Sequence, residues 1–291
     1  MPDTKINWAD KVWNPTVGCT KVSAGCKFCY AERLHDQRHK AYLEGKKLPK
    51  QYAKPFEKMQ FFADRLSYPL HLSKPKRIFV DSMSDLFHKE IPFGFIDSVY
   101  ETMGYCQQHT FLVLTKRVDR AIEYHKNSEI FNAWSKWKNV WVGTSIEDQP
   151  TADERILKLL YNIPAAVRWL SIEPLLNNTD ISGYLWPVRW HWDHKYNTPY
   201  EALAAGAYAE KLPQRFVETS FRFIDWVVVG CESGPKRRPC RIKWIENIVE
   251  QCKDANTPVW VKQMEVSGKV TDKIELFPEH LRIRELPEEK A

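Results

Sequence analysis

The sequence predicts an α/β fold, in the form of a partial (β/α) barrel, from three observations. Six short runs of β-branched or aromatic residues recur along the chain, segments with helical spacing lie between them, and each run stops abruptly in polar residues. Strands that alternate with helices indicate a parallel sheet, because a parallel crossover needs a dozen or more residues. Polar residues at nearly every strand end favour a barrel, whose mouth collects functional groups from many strands.

The predicted strands occupy six runs, at residues 78–80, 111–114, 140–142, 167–170, 226–229 and 259–261. Helical spacing occurs at about 95–106, 118–125, 151–161 and 242–255. A doubly wound sheet also fits this alternation, but it would concentrate the polar residues at one switch point. No glycine-rich dinucleotide motif and no P-loop follows a strand, so both kinds of phosphate site are poor interpretations.

Two stretches interrupt the alternation, at about 35–76 and 182–222. The first is basic and rich in Tyr and Phe, and the second contains Trp186, Trp190 and Trp192 next to Arg189 and two histidines. We interpret both as elaborations of one barrel domain that spans residues 1–291, because no clear linker or repeat divides the chain. Trp at alternate positions is suited to stacking on bases, although it equally describes a strand with one face on the core.

The composition is that of a globular protein with 291 residues, 43% of them hydrophobic and 27% charged. No apolar stretch approaches the roughly 20 residues of a membrane span, and the polar start has no secretory core behind it, so we expect a cytoplasmic protein without a membrane partner. The net charge of +6 favours an anionic partner such as nucleic acid. We expect most of the twelve Trp to fill the core or line a groove.

Three of the seven cysteines lie within eleven residues near the N-terminus, as Cys19, Cys26 and Cys29. This C-x6-C-x2-C spacing, with Gly18 and Gly25 each preceding a cysteine, suits a loop folded tightly around a metal centre. Three thiolates on a four-iron cluster leave one iron open for a chelating substrate or cofactor.

Other interpretations of the cysteines stay open. A structural zinc could be completed by His35 or His39, because the C-x2-C half of the motif fits zinc. A plain electron-transfer cluster would need a fourth cysteine nearby, and none follows until Cys106. Cys106 and Cys252 fall in helical segments and are expected in the core. Cys231 and Cys240 are candidate thiols on the substrate side.

Several blocks in the same order resemble the phage-associated three-Cys-motif family, which is itself similar to a divergent branch of the radical S-adenosylmethionine (SAM) enzymes. The blocks lie at residues 13–23, 26–33, 79–88, 114–117, 151–155 and 173–176. The resemblance implies a [4Fe-4S] cluster on the three cysteines and SAM bound to the open iron. Reductive cleavage would yield methionine and a 5′-deoxyadenosyl radical, with an electron from a donor such as flavodoxin or ferredoxin. The first gap here is six residues, whereas the commoner radical SAM spacing is C-x3-C-x2-C.

The resemblance also implies where SAM is bound. The residues after the second barrel strand hold the SAM amino group in such enzymes, and here that place is taken by Asp81, Ser82, Ser84 and Asp85, whose oxygens suit an ammonium. Asp85 could instead cap a following helix. Candidates for the ribose hydroxyls follow the next strands, as Thr144, Ser145, Glu147, Ser171 and Glu173.

Basic residues at other strand ends could neutralise the SAM carboxylate or a substrate phosphate. We assign Lys262 to the cofactor and place Lys116, Arg117, Trp190, Glu232, Arg237 and Arg238 on the substrate side. The leading hypothesis is a radical SAM enzyme that acts on a nucleic-acid base or nucleotide in phage DNA modification. The alternatives are radical chemistry on a peptide or small metabolite, and a zinc-stabilised nucleic-acid-binding protein.

Overall fold

A computed structural model describes residues 4–133, 137–185, 188–191, 208–211 and 223–287. The strands are β1 Lys11–Trp13, β2 Thr16–Val17, β3 Gln60–Phe61, β4 Arg77–Val80, β5 Thr110–Thr115, β6 Val140–Ile146, β7 Val167–Ile172, β8 Val188–His191, β9 Tyr208–Lys211, β10 Trp226–Gly230, β11 Val259–Val266 and β12 Lys269–Thr271. The helices are α1 Tyr30–Leu43, α2 Phe93–Tyr105, α3 Val118–Asn127, α4 Glu129–Ala133, α5 Gln149–Asn162, α6 Ser182–Leu185 and α7 Ile242–Asp254.

Eight strands form the central sheet, in the order β1-β4-β5-β6-β7-β10-β11-β12. Neighbouring strands are parallel as far as β11, and β12 pairs with β11 in the antiparallel direction. The spatial order follows the chain without a reversal, so the sheet has no topological switch point and is not doubly wound. It curls into a mostly parallel half-barrel, which confirms the predicted α/β class and is compatible with a partial (β/α) barrel.

Side chains alternate between the two faces of this sheet, as the period of a strand requires. The outer face carries aliphatic residues such as Ile78, Val113 and Val229, which share one core with the buried residues of the helices. The inner face packs a second core, composed chiefly of Trp8, Phe79, Leu112, Trp141, Trp169, Trp226, Val228 and Trp260.

Tryptophans fill the inside of the half-barrel. Trp8, from the segment before β1, lies 5.3 Å from Trp169 between ring centroids, and Trp169 lies 5.4 Å from Trp226. Gly143 makes room for this packing, because a Cβ at that position would stand 2.6 Å from the Trp169 ring. Seven tryptophans of the described chain are buried, in agreement with the expectation that most of them fill the core.

The six predicted strands and four predicted helices are all present, with ends that differ by a few residues. The sequence pattern did not predict β1, which has three residues, or α1, which buries only Ala31 and His35 and so lacks an apolar stripe. None of the described helices is both long and apolar enough to cross a bilayer.

The second interrupting stretch contributes α6 and a β8–β9 antiparallel pair. Trp190 belongs to β8 and is paired through its backbone with Ala209. Its side chain lies outside the described residues, and so do Trp186, Trp192 and His194. The expected role of this stretch in substrate binding stays a prediction.

Candidate metal centre at the barrel mouth

The loop that carries the three cysteines is joined to the end of β4. Gly18 forms a parallel bridge with Ser84, and the Ser84 hydroxyl donates to the Gly18 carbonyl at 2.8 Å. The Gly18 N–H donates to the Met83 carbonyl at 3.0 Å. At the other end of the loop, the Tyr30 hydroxyl donates to the Ser82 carbonyl at 2.6 Å. These contacts hold the loop over the carboxyl edge of the sheet.

The same loop reaches the residues that follow β5 and β6. Arg117 donates through Nη2 to the carbonyl and the hydroxyl of Thr20, at 2.8 and 3.0 Å, and lies 3.8 Å from the Cys19 sulfur. The Ser23 hydroxyl donates to Glu147 Oε1 at 2.5 Å. Because parallel strands end at the same edge of the sheet, the cysteine loop lies where the ends of several strands meet.

The loop also contacts the segment after β10. The guanidinium of Arg238 lies 5.5 Å from the centroid of the Phe28 ring, within cation–π range. Arg33 approaches so closely that a Cβ on Gly234 would overlap its guanidinium. The cysteine loop therefore bridges the ends of β4, β5, β6 and β10.

Two glycines explain how the loop folds this tightly. Gly18 has a φ of +110°, and a Cβ there would stand 2.6 Å from the Lys58 carbonyl oxygen and 2.8 Å from that of Phe56. Gly25 approaches Glu147 so closely that a Cβ would overlap the carboxylate. Only glycine tolerates both the positive φ and the close approach at position 18.

The three thiols are free and only partly buried. Burial, with the nearby Asp85 carboxylate, raises the pKa of Cys19 to about 12, although Arg117 opposes this shift. Burial also raises the pKa of Cys29, while backbone N–H groups of Glu32 and Ala31 donate to its sulfur and favour the thiolate. A bound metal would displace these protons, because thiolates are the metal ligands.

The side chains around the loop bear on the two metal centres that the sequence suggests, a zinc ion and an iron–sulfur cluster. In the described part of the chain, no group of three His, Cys, Asp or Glu side chains converges as a single ion requires. His35 donates through Nε2 to the Lys54 carbonyl at 2.8 Å, and His39 through Nδ1 to the Tyr52 carbonyl at 2.7 Å. Both imidazoles thus attach α1 to the following loop. In a cluster each of the three thiolates would bind a different iron, so the thiols need not converge on one ion. That centre stays a prediction.

The carboxylates after β4 organise the loop. Asp81 is buried, and its two oxygens accept from the Thr16 N–H at 3.1 Å and the Thr16 hydroxyl at 2.9 Å. Burial raises the pKa of Asp81 to about 7, against the effect of these hydrogen bonds. Asp85 accepts from the Phe87 N–H, the Thr115 hydroxyl and the Lys116 N–H, at 3.0, 2.7 and 3.0 Å.

Ser82 and Ser84 are likewise engaged within the protein. The Ser82 hydroxyl donates to the Asn14 side-chain oxygen at 3.1 Å, and Ser84 bonds to Gly18. All four residues predicted to hold the SAM amino group therefore lie together beside the cysteine loop. Contact between them and SAM stays a prediction.

Glu147 is a buried carboxylate that contacts two cations and one hydroxyl group. Its side chain is fully buried, and its oxygens contact Lys116 Nζ, the Ser23 hydroxyl and, at 3.3 Å, Arg155 Nη1. Burial acts to raise the pKa of Glu147, but Lys116 and Arg155 outweigh it and hold that pKa below its ordinary value. Glu147 therefore remains ionised, and it holds the side chains of Lys116 and Arg155 in place.

The ends of β7, β10 and β11 add further ion pairs. Glu173 lies 2.8 Å from Lys262 Nζ and accepts from the Ser171 hydroxyl at 3.2 Å. Glu232 accepts three hydrogen bonds from Arg238, from the backbone N–H at 2.8 Å, from Nε at 2.9 Å and from Nη2 at 2.5 Å. These residues follow the interior tryptophans on the same face of their strands, so they form a polar ring above the tryptophan layer.

Ser145 belongs to the same ring, because it follows Trp141 on one face of β6 and is paired through the backbone with Ser171 of β7. Two other candidates lie elsewhere. The Thr144 hydroxyl donates to the Thr115 carbonyl at 2.9 Å between two strands. Arg237 contacts Glu265 and the Gly268 carbonyl in the β11–β12 hairpin.

The remaining cysteines fall into two groups. Cys106 and Cys252 are buried in the core, as expected. Cys231 and Cys240 are also buried and hydrogen-bond each other at the two ends of the segment after β10. The thiol of Cys240 donates, which lowers the pKa of Cys231 and raises its own.

Sequence reasoning missed His88. It is buried, its Nδ1 accepts from the Glu90 N–H at 3.2 Å, and its Nε2–H therefore donates to the Thr20 hydroxyl at 2.8 Å. Burial, with the nearby Arg117, lowers the pKa of His88 and favours this neutral tautomer. The imidazole thus positions the residue next to Cys19. The signal that could have identified His88 is its position at the end of the family-resemblance block at residues 79–88.

A basic cavity of about 250 Å³ lies beside the cysteine loop, with Val22 in its wall. The two carboxylates that line it, Asp119 and Glu154, face six cations. Such a cavity suits an anionic group. Four of its cations were not predicted. Lys89 lies in a turn before α2, and the other three lie on helices, where exposed charges are common: Arg120, Arg155 and Lys158. Only Arg155 fell within a block of the family resemblance.

Comparison with known proteins identifies one family. Its model, described as "Protein of unknown function (DUF5131)", matches residues 3–276. No curated protein matches the chain, and no solved structure does. The family description names no activity, so the phage association and the radical SAM resemblance stay predictions.

Proposed function

The chain belongs to the DUF5131 family, and we propose that it is a radical SAM enzyme whose substrate is a nucleic-acid base or nucleotide. The observation that carries this proposal is the place of the three free thiols. They share one loop, and that loop bridges the strand ends at the mouth of a half-barrel. A thiol-ligated cluster at such a mouth is positioned for catalysis on a bound molecule.

Cys19, Cys26 and Cys29 would hold the cluster. When bound, a [4Fe-4S] cluster with one iron free of protein ligands supplies the electron that cleaves SAM reductively. The electron comes from an external donor of the flavodoxin or ferredoxin kind. The backbone N–H groups of Ala31 and Glu32 donate to the Cys29 sulfur at the start of α1 and offset negative charge there.

Residues of the polar ring provide complementary groups for SAM. Lys262 would bind the carboxylate and Glu173 a ribose hydroxyl, and the two side chains are already 2.8 Å apart. Asp85 and Ser82 lie at the end of β4 as acceptors for the ammonium group. Because both are engaged in hydrogen bonds within the protein, the ammonium would share or replace existing partners.

The tryptophan layer limits where a ligand can lie. Trp141, Trp169, Trp226 and Trp260 pack the interior beneath the ring and are almost fully buried. A ligand therefore binds above them, between the ring and the cysteine loop. This arrangement keeps SAM and the substrate on the side of the thiols.

The experiment is SAM cleavage by the protein reconstituted with iron and sulfide without oxygen and then reduced. We expect 5′-deoxyadenosine from the parent, slowly even without substrate, and none from Cys26→Ala. Cys252→Ala is the matched control, because Cys252 is a buried core thiol outside the loop. Equal cleavage by Cys26→Ala and the parent would contradict the proposal, as would a parent with full iron that leaves SAM intact.

A further inference from the structure

Most of the net charge is concentrated in one surface. Residues 35–58 contain seven Lys or Arg but three Asp or Glu, whereas the remainder of the chain is nearly balanced. All seven cations are exposed. We call this surface the basic face, and it consists of Arg38, Lys40, Lys46, Lys47, Lys50, Lys54 and Lys58.

The basic face is largely free of acidic partners. Across the described residues, Lys40 alone among the seven has a carboxylate within ion-pair distance, Glu44 at 4.0 Å. Unpaired cations at this density repel one another. A surface that keeps them together is suited to a partner with closely spaced negative charges.

The frame beneath the basic face is held by specific contacts. The hydrogen bonds from His35 and His39 to carbonyls of the loop fix that loop against α1. The Arg38 guanidinium lies 5.3 Å from the centroid of the Tyr52 ring, and the Lys46 N–H donates to the Ala41 carbonyl at 3.0 Å. A surface ordered in this way loses less entropy when it binds.

The basic face adjoins the cysteine loop at both ends of that loop. The Cys19 N–H donates to the Phe56 carbonyl at 3.0 Å, and α1 begins immediately after Cys29. Exposed aromatic rings lie on the same part of the chain, at Tyr30, Phe61 and Tyr68. Rings of this kind stack on unpaired bases, and cations beside them track a phosphate backbone.

The extent of the face indicates a polymer. Two of its seven cations lie on α1, and the other five are distributed over the segment of the chain from Lys46 to Lys58. Successive phosphates of one strand in duplex DNA are about 3.4 Å apart along the axis. A single nucleotide could therefore meet only a small part of the face, whereas a strand could meet several of its cations.

We propose that the basic face binds the phosphate backbone of a single-stranded nucleic acid, and that the substrate is a base within a strand rather than a free nucleotide. The second half rests on the proposed radical SAM function. The strand would lie along α1 and the following loop and present a base to the cysteine loop.

The test is the salt dependence of binding, measured by fluorescence anisotropy with a labelled single-stranded oligonucleotide and the full reconstituted protein. Lys46→Gln, Lys47→Gln and Lys50→Gln are combined in one variant. We expect its slope of log affinity against log salt to be smaller by about 2, since each phosphate contact to a single strand contributes about 0.7. A free nucleotide should not displace the oligonucleotide.

A second triple variant is the control for charge alone. Lys126→Gln, Lys253→Gln and Lys273→Gln remove three exposed cations on α3, on α7 and after β12, none of which belongs to the basic face. We expect this variant to retain the slope of the parent. An equal decrease of the salt slope in both triple variants would overturn the proposal, because the slope would then depend on net charge alone. Displacement by a free nucleotide, or binding to phosphatidylserine vesicles but not to the oligonucleotide, would overturn it too.

The two proposals can fail separately. A parent protein that cleaves SAM but does not bind the oligonucleotide overturns the inference about the basic face and leaves the proposed function standing. A parent that binds the oligonucleotide with the expected salt slope but does not cleave SAM overturns the proposed function.

Discussion

Asp81 is a buried carboxyl group whose ionisation the fold alters strongly. It is buried, has a φ of +57°, and accepts two hydrogen bonds from Thr16 just before the cysteine loop. Its position after β4 predicted a contact with SAM. The contacts to Thr16 assign it a structural task in addition, because they hold the turn that leads to Gly18.

The raised pKa of Asp81 predicts how stability depends on pH. The carboxyl group keeps this proton up to about pH 7 in the folded protein, whereas in the unfolded chain it loses the proton near the ordinary Asp pKa of 3.8. Between these limits the folded state binds more protons, so the free energy of unfolding falls as the pH rises. Asp81→Asn mimics the protonated form, because Oδ1 can still accept from the Thr16 N–H while Nδ2 would donate to the Thr16 hydroxyl oxygen, as a protonated carboxyl would. We expect the free energy of unfolding of the variant, relative to that of the parent, to increase from about pH 5 to about pH 8. This range includes the upper part of that window.

Urea unfolding of both proteins at the two pH values measures this difference. Asp64→Asn is the control, because Asp64 is exposed in the loop before β4. A stability difference between Asp81→Asn and the parent that does not change with pH would show that Asp81 is ionised in the fold.

At the scale of elements, the cysteine loop depends on backbone geometry. Gly18 combines a positive φ with a close approach to two carbonyl oxygens, which cannot rotate away as a side chain could. The loop then meets Ser84, Arg117 and Glu147 on three different strand ends. Its conformation therefore determines whether the three thiols remain together.

Gly18→Ala should disrupt the loop. Strain at a positive φ costs about 1 to 3 kcal/mol, and the two close oxygens add to it, so we expect a lower free energy of unfolding and less iron per chain after reconstitution. Gly94→Ala is the matched control, because a Cβ at Gly94 in α2 would meet nothing within 4 Å. That control should be unchanged or slightly more stable, by about 0.4 to 1 kcal/mol. Iron and stability equal to the parent in Gly18→Ala would contradict the role given to this glycine.

Local sequence patterns predicted the sheet better than they predicted the site. Each main strand is a short run rich in β-branched, aromatic or other apolar residues, and such a run is visible in the local sequence alone. The site instead depends on tertiary contacts. Glu147 stays a candidate ribose ligand, and its contact with Ser23, 124 residues away in the chain, has no local sequence signal. His88 and Arg155 were missed for the same reason. Helix α1 was missed because its exposed faces carry the basic residues and leave little apolar pattern.

At the scale of the whole molecule, the two hydrophobic cores lie apart from the polar residues of the candidate site. The sequential sheet order curls the strands in one direction, and tryptophans fill the enclosed space. Polar side chains follow on the same strand faces and meet the cysteine loop at the carboxyl edge. The aliphatic core and helices lie on the outer face and leave this edge accessible.

The measurement that tests the account most directly is the iron, sulfide and zinc content of the protein after purification and reconstitution without oxygen. We expect about four iron and four sulfide per chain, the content of one [4Fe-4S] cluster. Alanine at Cys19, Cys26 or Cys29 should reduce the iron well below that value, and alanine at Cys106 or Cys252 should not. About one zinc per chain with no iron would contradict the account, because the cysteine loop would then be a structural zinc site.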